Sequence, residues 1–195
     1  MRTVRPNFIV GIGASAGGLN AFKALLRAMP IDTGMAFVII SHLMPTAHSH
    51  LAEILSRCTK MSVGVALEAM PIEANHIYVI APDVDLLIEN NAFSVVYPRT
   101  GRNRQVDLFL ISLAEAMGPR AIGIILSGYD GDGAEGCRQI KAKGGVTFAQ
   151  DSSAEVDEMP LSAQATGSID FVLPPEKMPL ELQRLASLFK KQSVN

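Results

Sequence analysis

The chain has 195 residues, 48% of them hydrophobic and 18% charged, with a formal net charge of -2. That length favours one domain, residues 1–195, with room for a sizeable core, and the composition excludes a disordered chain. The charge balance leaves no basic footprint for nucleic acid or an anionic membrane surface, and no apolar run reaches the ~18 residues that span a bilayer.

In chain order, FIVGIGA (8–14) is a short apolar run ended by glycines and reads as a buried strand. LNAFKALLRAM (19–29) sets Leu19, Phe22, Leu25, Leu26 and Met29 at helical spacing. MAFVIIS (35–41) is a second buried strand, and SHLAEILSRC (49–58) a second amphipathic helix with Ser49 or Thr46 as candidate caps. SVGVAL (62–67) and HIYVIAP (76–82) are further strands. LLIENNAFSVVY (86–97) places two apolar runs around Glu89-Asn90-Asn91, a hairpin pattern because asparagine tolerates positive φ. VDLFLISLAEAM (106–117) is a helix, AIGIILS (121–127) a strand, and GAEGCRQIKAKG (133–144) a helix closed by Gly144. GVTFAQ (145–150), a short helix at 160–167, SIDFVL (168–173) and a helix at 176–190 complete the chain. Strands alternating with helices predict an α/β fold: a doubly wound, mostly parallel, Rossmann-like three-layer sheet flanked by helices, with one β-hairpin.

Ligands of such folds bind at the carboxyl ends of the strands. There the sequence places Ser15, His42, Asp130, Asp132 and Asp151. The first turn, GIGASAGG (11–18), satisfies both G-x-G-x-x-G/A, a dinucleotide cradle, and G-x-S-x-G, the turn that presents a nucleophilic serine. A dinucleotide site needs an acid at the end of the second strand for the ribose hydroxyls. That place is held by Ser41-His42, and the nearest acid, Asp32, precedes the strand. Ser, His and Asp at three strand ends instead fit acyl transfer: the imidazole takes the serine proton, and the carboxylate fixes and stabilises the imidazole. Taken singly, each residue has a plainer role: a glycine-rich turn, a structural histidine, and Asp132 as N-cap of the helix it precedes.

The remaining polar motifs point less sharply. His42, His48 and His50 spell H-x5-H-x-H, but no carboxylate or cysteine lies at usual ligand spacing, so a metal site is not expected. Cys58 and Cys137 stand outside any C-x-x-C arrangement and read as reduced thiols. AEVDEMP (154–160) reads as a solvated acidic loop, with a part in substrate binding as the alternative, and Lys190-Lys191 as cations at a helix C-terminus. MRTVRPN is not followed by an apolar signal core, so a cytoplasmic location is expected.

Several motifs together, in order, carry a family resemblance: IGASAGG, ISHLMP, NHIYVIAP, ILSGYDGDGAEG, GGVTFAQD and MPLSAQATGSIDFVLP, from about Phe8 to Leu173. The chain resembles the catalytic domain of the bacterial chemotaxis protein-glutamate methylesterases, the CheB family. The resemblance implies a serine hydrolase with its triad in the order Ser15, His42, Asp132 and no metal or organic cofactor. Its substrate would be γ-glutamyl methyl esters on the cytoplasmic helices of chemoreceptors, with receptor glutamines as a second substrate for deamidation. It departs from the family pattern in Ala16, where many members carry threonine, and in Gly128-Tyr129-Asp130, where Gly-Met-Gly is usual. No receiver domain is expected within the chain. SHLMPTAHSHLAEILSR and the Ser-Ala-Gly-Gly turn look more like versions fused to a methyltransferase, so a fused or separate methyltransferase or regulatory domain is an expected partner. An alternative stays open: a catalytically weak or inactive receptor- or partner-binding domain on the same fold.

Overall fold

The computed structural model describes residues 4–43 and 49–192, with side chains described to residue 189. Its elements run β1 (Ile9–Ala14), α1 (Gly18–Ala28), β2 (Ala36–Ser41), α2 (Leu51–Ser56), β3 (Ser62–Val65), β4 (His76–Val79), β5 (Asp85–Glu89), β6 (Ala92–Val96), α3 (Gln105–Met117), β7 (Ala121–Ile125), α4 (Ala134–Ala142), β8 (Val146–Gln150), α5 (Glu158–Ala165), β9 (Phe171–Leu173) and α6 (Met178–Gln192). Seven strands form one sheet in the order β3-β4-β2-β1-β7-β8-β9. Every neighbouring pair in it is parallel. The chain winds outward from β1 to β2 and beyond, then returns to β1's other side at β7. The carboxyl ends of β2, β1 and β7 therefore flank a switch point, the place where such sheets open a crevice.

Residues alternate between the two sides of β1. Ile9 joins the apolar cluster that includes Phe109, Leu110 and Leu113 of α3, whereas Val10, Ile12 and Ala14 join the cluster of Phe22, Leu25 and Leu26 of α1. On the α3 side the next two inward positions are Gly11 and Gly13. A Cβ on Gly11 would stand 2.5 Å from Leu110 Cδ2, and one on Gly13 would overlap Val106. The G-x-G of the first turn thus lets α3 lie close against the sheet. Helices α3, α4 and α5 cover one face, and α1, α2 and α6 the other, which gives the three layers expected. Each fully buried Phe or Leu in these two cores contributes roughly 1.5–3 kcal/mol of apolar burial.

The hairpin stands apart from the main sheet as β5 paired antiparallel with β6. Asn90 and Asn91 form its two-residue turn, both at positive φ (52° and 63°). The hairpin packs on α3, where Ile88 N–H donates to Ser112 Oγ at 3.1 Å. The strand expected over 168–173 shortens to Phe171–Leu173. Thr147 N–H donates to Asp170 Oδ2 at 3.0 Å, so a side chain takes the place of a ladder carbonyl there. The helix expected over 49–58 keeps only Leu51–Ser56, with Ser49 Oγ accepting the Leu51 N–H at 3.3 Å. Thr46 and His48 lie outside the described residues, as do the side chains of Lys190 and Lys191.

Candidate active site

The turn after β1 carries Ser15. Its N–H donates to Ser127 O at 2.9 Å, and its carbonyl accepts the Gly18 N–H at 3.0 Å. Gly17 takes the left-handed conformation (φ 73°) that lets the chain swing from strand into α1. Ser127, fully buried just past β7, holds the turn from below. Its hydroxyl donates to Ala16 O at 2.7 Å and accepts from Val156 N–H at 3.0 Å. Its own N–H donates to Gln150 Oε1 at 3.0 Å. Three strand ends are therefore wired to one another around Ser15.

His42 follows β2 and meets Asp132 from the β7–α4 turn: Nε2 lies 2.7 Å from Asp132 Oδ2. The imidazole is 8% exposed and the carboxylate fully buried. A buried carboxylate on Nε2 assigns the proton to Nε2 and leaves Nδ1 as the basic lone pair. Nδ1 is itself buried and has no hydrogen-bond partner among the described residues. Asp132 also accepts the Val106 N–H on Oδ2 at 3.0 Å and the Asp107 N–H on Oδ1 at 2.8 Å. These donors are in the first turn of α3, where backbone N–H groups lack intrahelical acceptors. Asp132 does not cap the helix it precedes. Gly133 is the N-cap of α4, and its N–H and that of Gly136 donate to Asp107 Oδ1 at 2.9 and 2.8 Å. The local spacing suggested a cap in cis, but the two helix starts exchange their aspartates.

Ser15 and His42 line one cleft of about 610 Å³, with Leu43, Arg99, Arg102, Asn103, Tyr129 and Asp130. Its rim comes from the segment between β6 and α3, anchored by Asp85. That buried carboxylate accepts the Thr100 N–H and hydroxyl at 2.7 and 2.6 Å and the Gln105 amide at 2.9 Å. Burial works to raise the Asp85 carboxyl, but the bonds from Thr100 and Gln105 and the Arg99 charge outweigh it and hold it below the ordinary carboxylate value. Arg99 is tied to Leu43 O at 3.3 Å and lies 3.8 Å from Asp83. Asp130 sits at positive φ (70°), accepts the Asn103 amide at 2.8 Å and the Asp132 N–H at 2.9 Å, and so stiffens the turn that carries Asp132. Tyr129 is 57% exposed at the mouth.

The other residues singled out from sequence fall elsewhere. Asp151 caps a local turn through the Ser153 N–H at 3.0 Å and is not a cleft residue. His50 faces Glu53 on an exposed helix start at 3.4 Å. Among the described residues no group of three His, Cys, Asp or Glu side chains is arranged to hold a metal. Cys137 is buried and Cys58 half-buried, and both are free thiols. The 154–160 segment is more than a solvated loop: Val156 bonds Ser127 and Gly128 through its backbone, and Met159 and Pro160 are buried. Only its acidic side chains face outward. Asp107, Ser127, Gln150 and Asp85 were not singled out from sequence. The one local signal for Asp107 is an acid in the first turn of a helix, which suits that terminus anywhere.

The chain as a whole is similar to known proteins. A family model described as CheB methylesterase matches residues 10–182. A relative from Leptospira interrogans, provisionally named protein-glutamate methylesterase/protein-glutamine glutaminase, is 34% identical over 188 residues, 94% of each chain. A protein-glutamate methylesterase/protein-glutamine glutaminase of Geobacter metallireducens is 36% identical over 182 residues, 89% of this chain and 50% of its own length. The crystal structure of the Thermotoga maritima CheB methylesterase catalytic domain superposes with a TM-score of 0.83 at 27% identity, covering 91% of this chain and 98% of that one. No helix among the described residues is long and apolar enough to cross a membrane. The fold and these matches agree: the chain belongs to the CheB methylesterase family.

Proposed function

We propose that this chain is a protein-glutamate methylesterase acting in the cytoplasm on the methylated helices of chemoreceptors, with Ser15 as nucleophile, His42 as general base and acid, and Asp132 as its orienting carboxylate. The observation that carries this reading is the His42–Asp132 bond of 2.7 Å, which leaves Nδ1 as the basic nitrogen of an imidazole that shares its cleft with Ser15. Nδ1 removes the Ser15 proton as Oγ attacks the γ-ester carbonyl carbon. Asp132 stabilises the imidazolium that forms. The N–H groups of Ala16 and Gly17, which have no acceptor among the described residues, are the donors for the developing oxyanion. The C–O bond then breaks, and methanol leaves with the proton from His42. Water attacks the acyl-serine with Nδ1 again as base, giving a glutamate carboxylate and free Ser15. A receptor glutamine follows the same course with ammonia as leaving group. A methyltransferase or regulatory domain, fused or separate, is the further partner of this reading.

The test is methanol release from a methylated receptor cytoplasmic fragment by this chain and by Ser15→Ala. Release by the parent chain alone is expected. If neither releases methanol while an established esterase demethylates the same fragment, the fold serves binding and the esterase reading fails.

A further inference from the structure

Asp107 takes no part in the chemistry above, yet it is bonded to the catalytic carboxylate's segment from both directions. Its N–H donates to Asp132 Oδ1 at 2.8 Å, while its Oδ1 accepts the N–H of Gly133, the residue after Asp132, at 2.9 Å and that of Gly136 at 2.8 Å. Each aspartate thus caps the other's helix. An ordinary cap satisfies orphan N–H groups of its own helix and fixes nothing else. Here the exchange locks the start of α3 to the start of α4, with Asp132 between them and His42 on its free side.

We propose that Asp107 is a positioning residue of this esterase site, which aims the Asp132 carboxylate at His42 through the reciprocal caps. The proposal rests on the triad reading given above. Two physical consequences separate it from simple helix capping. First, the aim of Asp132 depends on Gly133, whose N–H has Asp107 as its acceptor; without that bond the turn is free to rotate the carboxylate away from Nε2, and small misplacements cost catalysis heavily. Second, two carboxylates this close share one field. Burial raises the Asp107 carboxyl above its ordinary value, and the Asp132 charge adds to that. The titratable groups facing Asp107 are Asp132 in the turn and Glu135 and Cys137 on α4, with His42 beyond Asp132.

Asp107→Asn and Asp107→Ala separate the parts. The asparagine keeps Oδ1 for both N–H groups and removes the charge; Asp107 is half-buried and its Oδ2 accepts no hydrogen bond among the described residues, so the new amide nitrogen takes that side. The alanine removes both. Two readouts are needed: kcat and KM with methylated receptor fragment, and the low-field NMR signal of the His42 Nε2–H proton, which reports its bond to Asp132 and does not depend on turnover. Expected for Asp107→Ala is a kcat lower by on the order of tenfold to a hundredfold with KM little changed. Expected for Asp107→Asn is recovery of a large part of that kcat with the His42 Nε2–H signal kept, whereas Asp107→Ala loses that signal. A parent-like His42 Nε2–H signal in Asp107→Ala, or equal kcat losses in both variants, overturns the proposal. If Asp107→Ala does not fold, Asp107→Glu takes its place: its longer side chain keeps the charge but displaces the acceptor from both N–H groups, and the same losses are expected. Should the parent chain release no methanol, it is the esterase reading that has failed, and the His42 Nε2–H signal still judges the clamp.

Discussion

Gly128 lies against the back of Ser15 so closely that a Cβ added to it would stand 2.9 Å from the Ser15 Cβ and 3.0 Å from its amide nitrogen. The same Cβ would overlap Met159 Sδ, and Met159 is buried with little room to yield. The Ser15 turn and the turn after β7 can touch only because this position has no side chain. Gly128→Ala is therefore expected to lower stability by about 1–3 kcal/mol, as overpacking does. It should also displace Ser15 and lower kcat by more than tenfold. Urea unfolding and methanol release check the two effects. Parent-like kcat in a destabilised Gly128→Ala would show that Ser15 is not positioned from this side.

Asp132 is an acceptor on both oxygens. Oδ2 takes the imidazole and Val106 N–H, and Oδ1 takes the Asp107 N–H. Asp132→Asn must therefore point its amide N–H groups at a donor in either orientation. Two losses are expected together. Stability falls by about 1–3 kcal/mol for the buried donors left facing one another. The rate falls by on the order of 10³- to 10⁴-fold because the imidazole loses the carboxylate that fixes its tautomer. Single-turnover demethylation measures the second. A loss of less than tenfold would remove Asp132 from the triad.

Asp85 predicts a pH dependence of stability. Its carboxyl is held below the ordinary value in the fold, so between the folded and unfolded values the unfolded chain binds more protons. Its contribution is present above the unfolded carboxylate value, near pH 4, and fades as pH falls through the lower folded value. The raised Asp107 works with the opposite sign, since the fold takes up that proton before the unfolded chain does. Asp85→Asn should cost about 1–3 kcal/mol at pH 7, where its three accepted bonds are intact in the parent. The gap between variant and parent should narrow towards pH 3. Urea midpoints at pH 7, 5 and 3 give the comparison, and a gap that widens on acidification would contradict the assignment.

Much of the candidate site's placement was legible in the sequence because α/β topology confines polar chemistry to strand ends. Ser15, His42 and Asp132 each follow an apolar run that reads as a strand, and the structure brings those three ends to one switch point. The hairpin was legible from Asn90-Asn91, since positive φ at both positions is a local preference. The network behind the site was not legible, because its pairs are distant in sequence. Asp107 and Asp132 each look like an ordinary helix-start acid, and only their spatial exchange gives them meaning. Ser127 and Gln150 sit at strand ends too, but their neighbours in sequence do not suggest that both serve the Ser15 turn. Gly11 and Gly13 show how one pattern can have another cause. They satisfy a phosphate-cradle motif, yet they are small because Leu110 and Val106 of α3 press against β1.

Tyr129 is the departure from the family pattern with the clearest consequence. It is 57% exposed, lines the cleft with Ser15 and His42, and makes no side-chain hydrogen bond among the described residues. So little of it is buried that Tyr129→Ala should change stability by no more than ~0.5 kcal/mol. A large aromatic ring at the mouth of a cleft gains its contacts from whatever enters, and truncating such a residue in an interface costs ~1 kcal/mol or more. The expected result is a KM for methylated receptor fragment raised about fivefold with kcat near the parent value, the pattern of lost uniform binding. A KM lowered by Tyr129→Ala would give the ring the opposite role, as an obstacle that narrows the cleft against a receptor helix. Steady-state demethylation of one receptor fragment by both chains separates the two, because the sign of the change in KM is the answer.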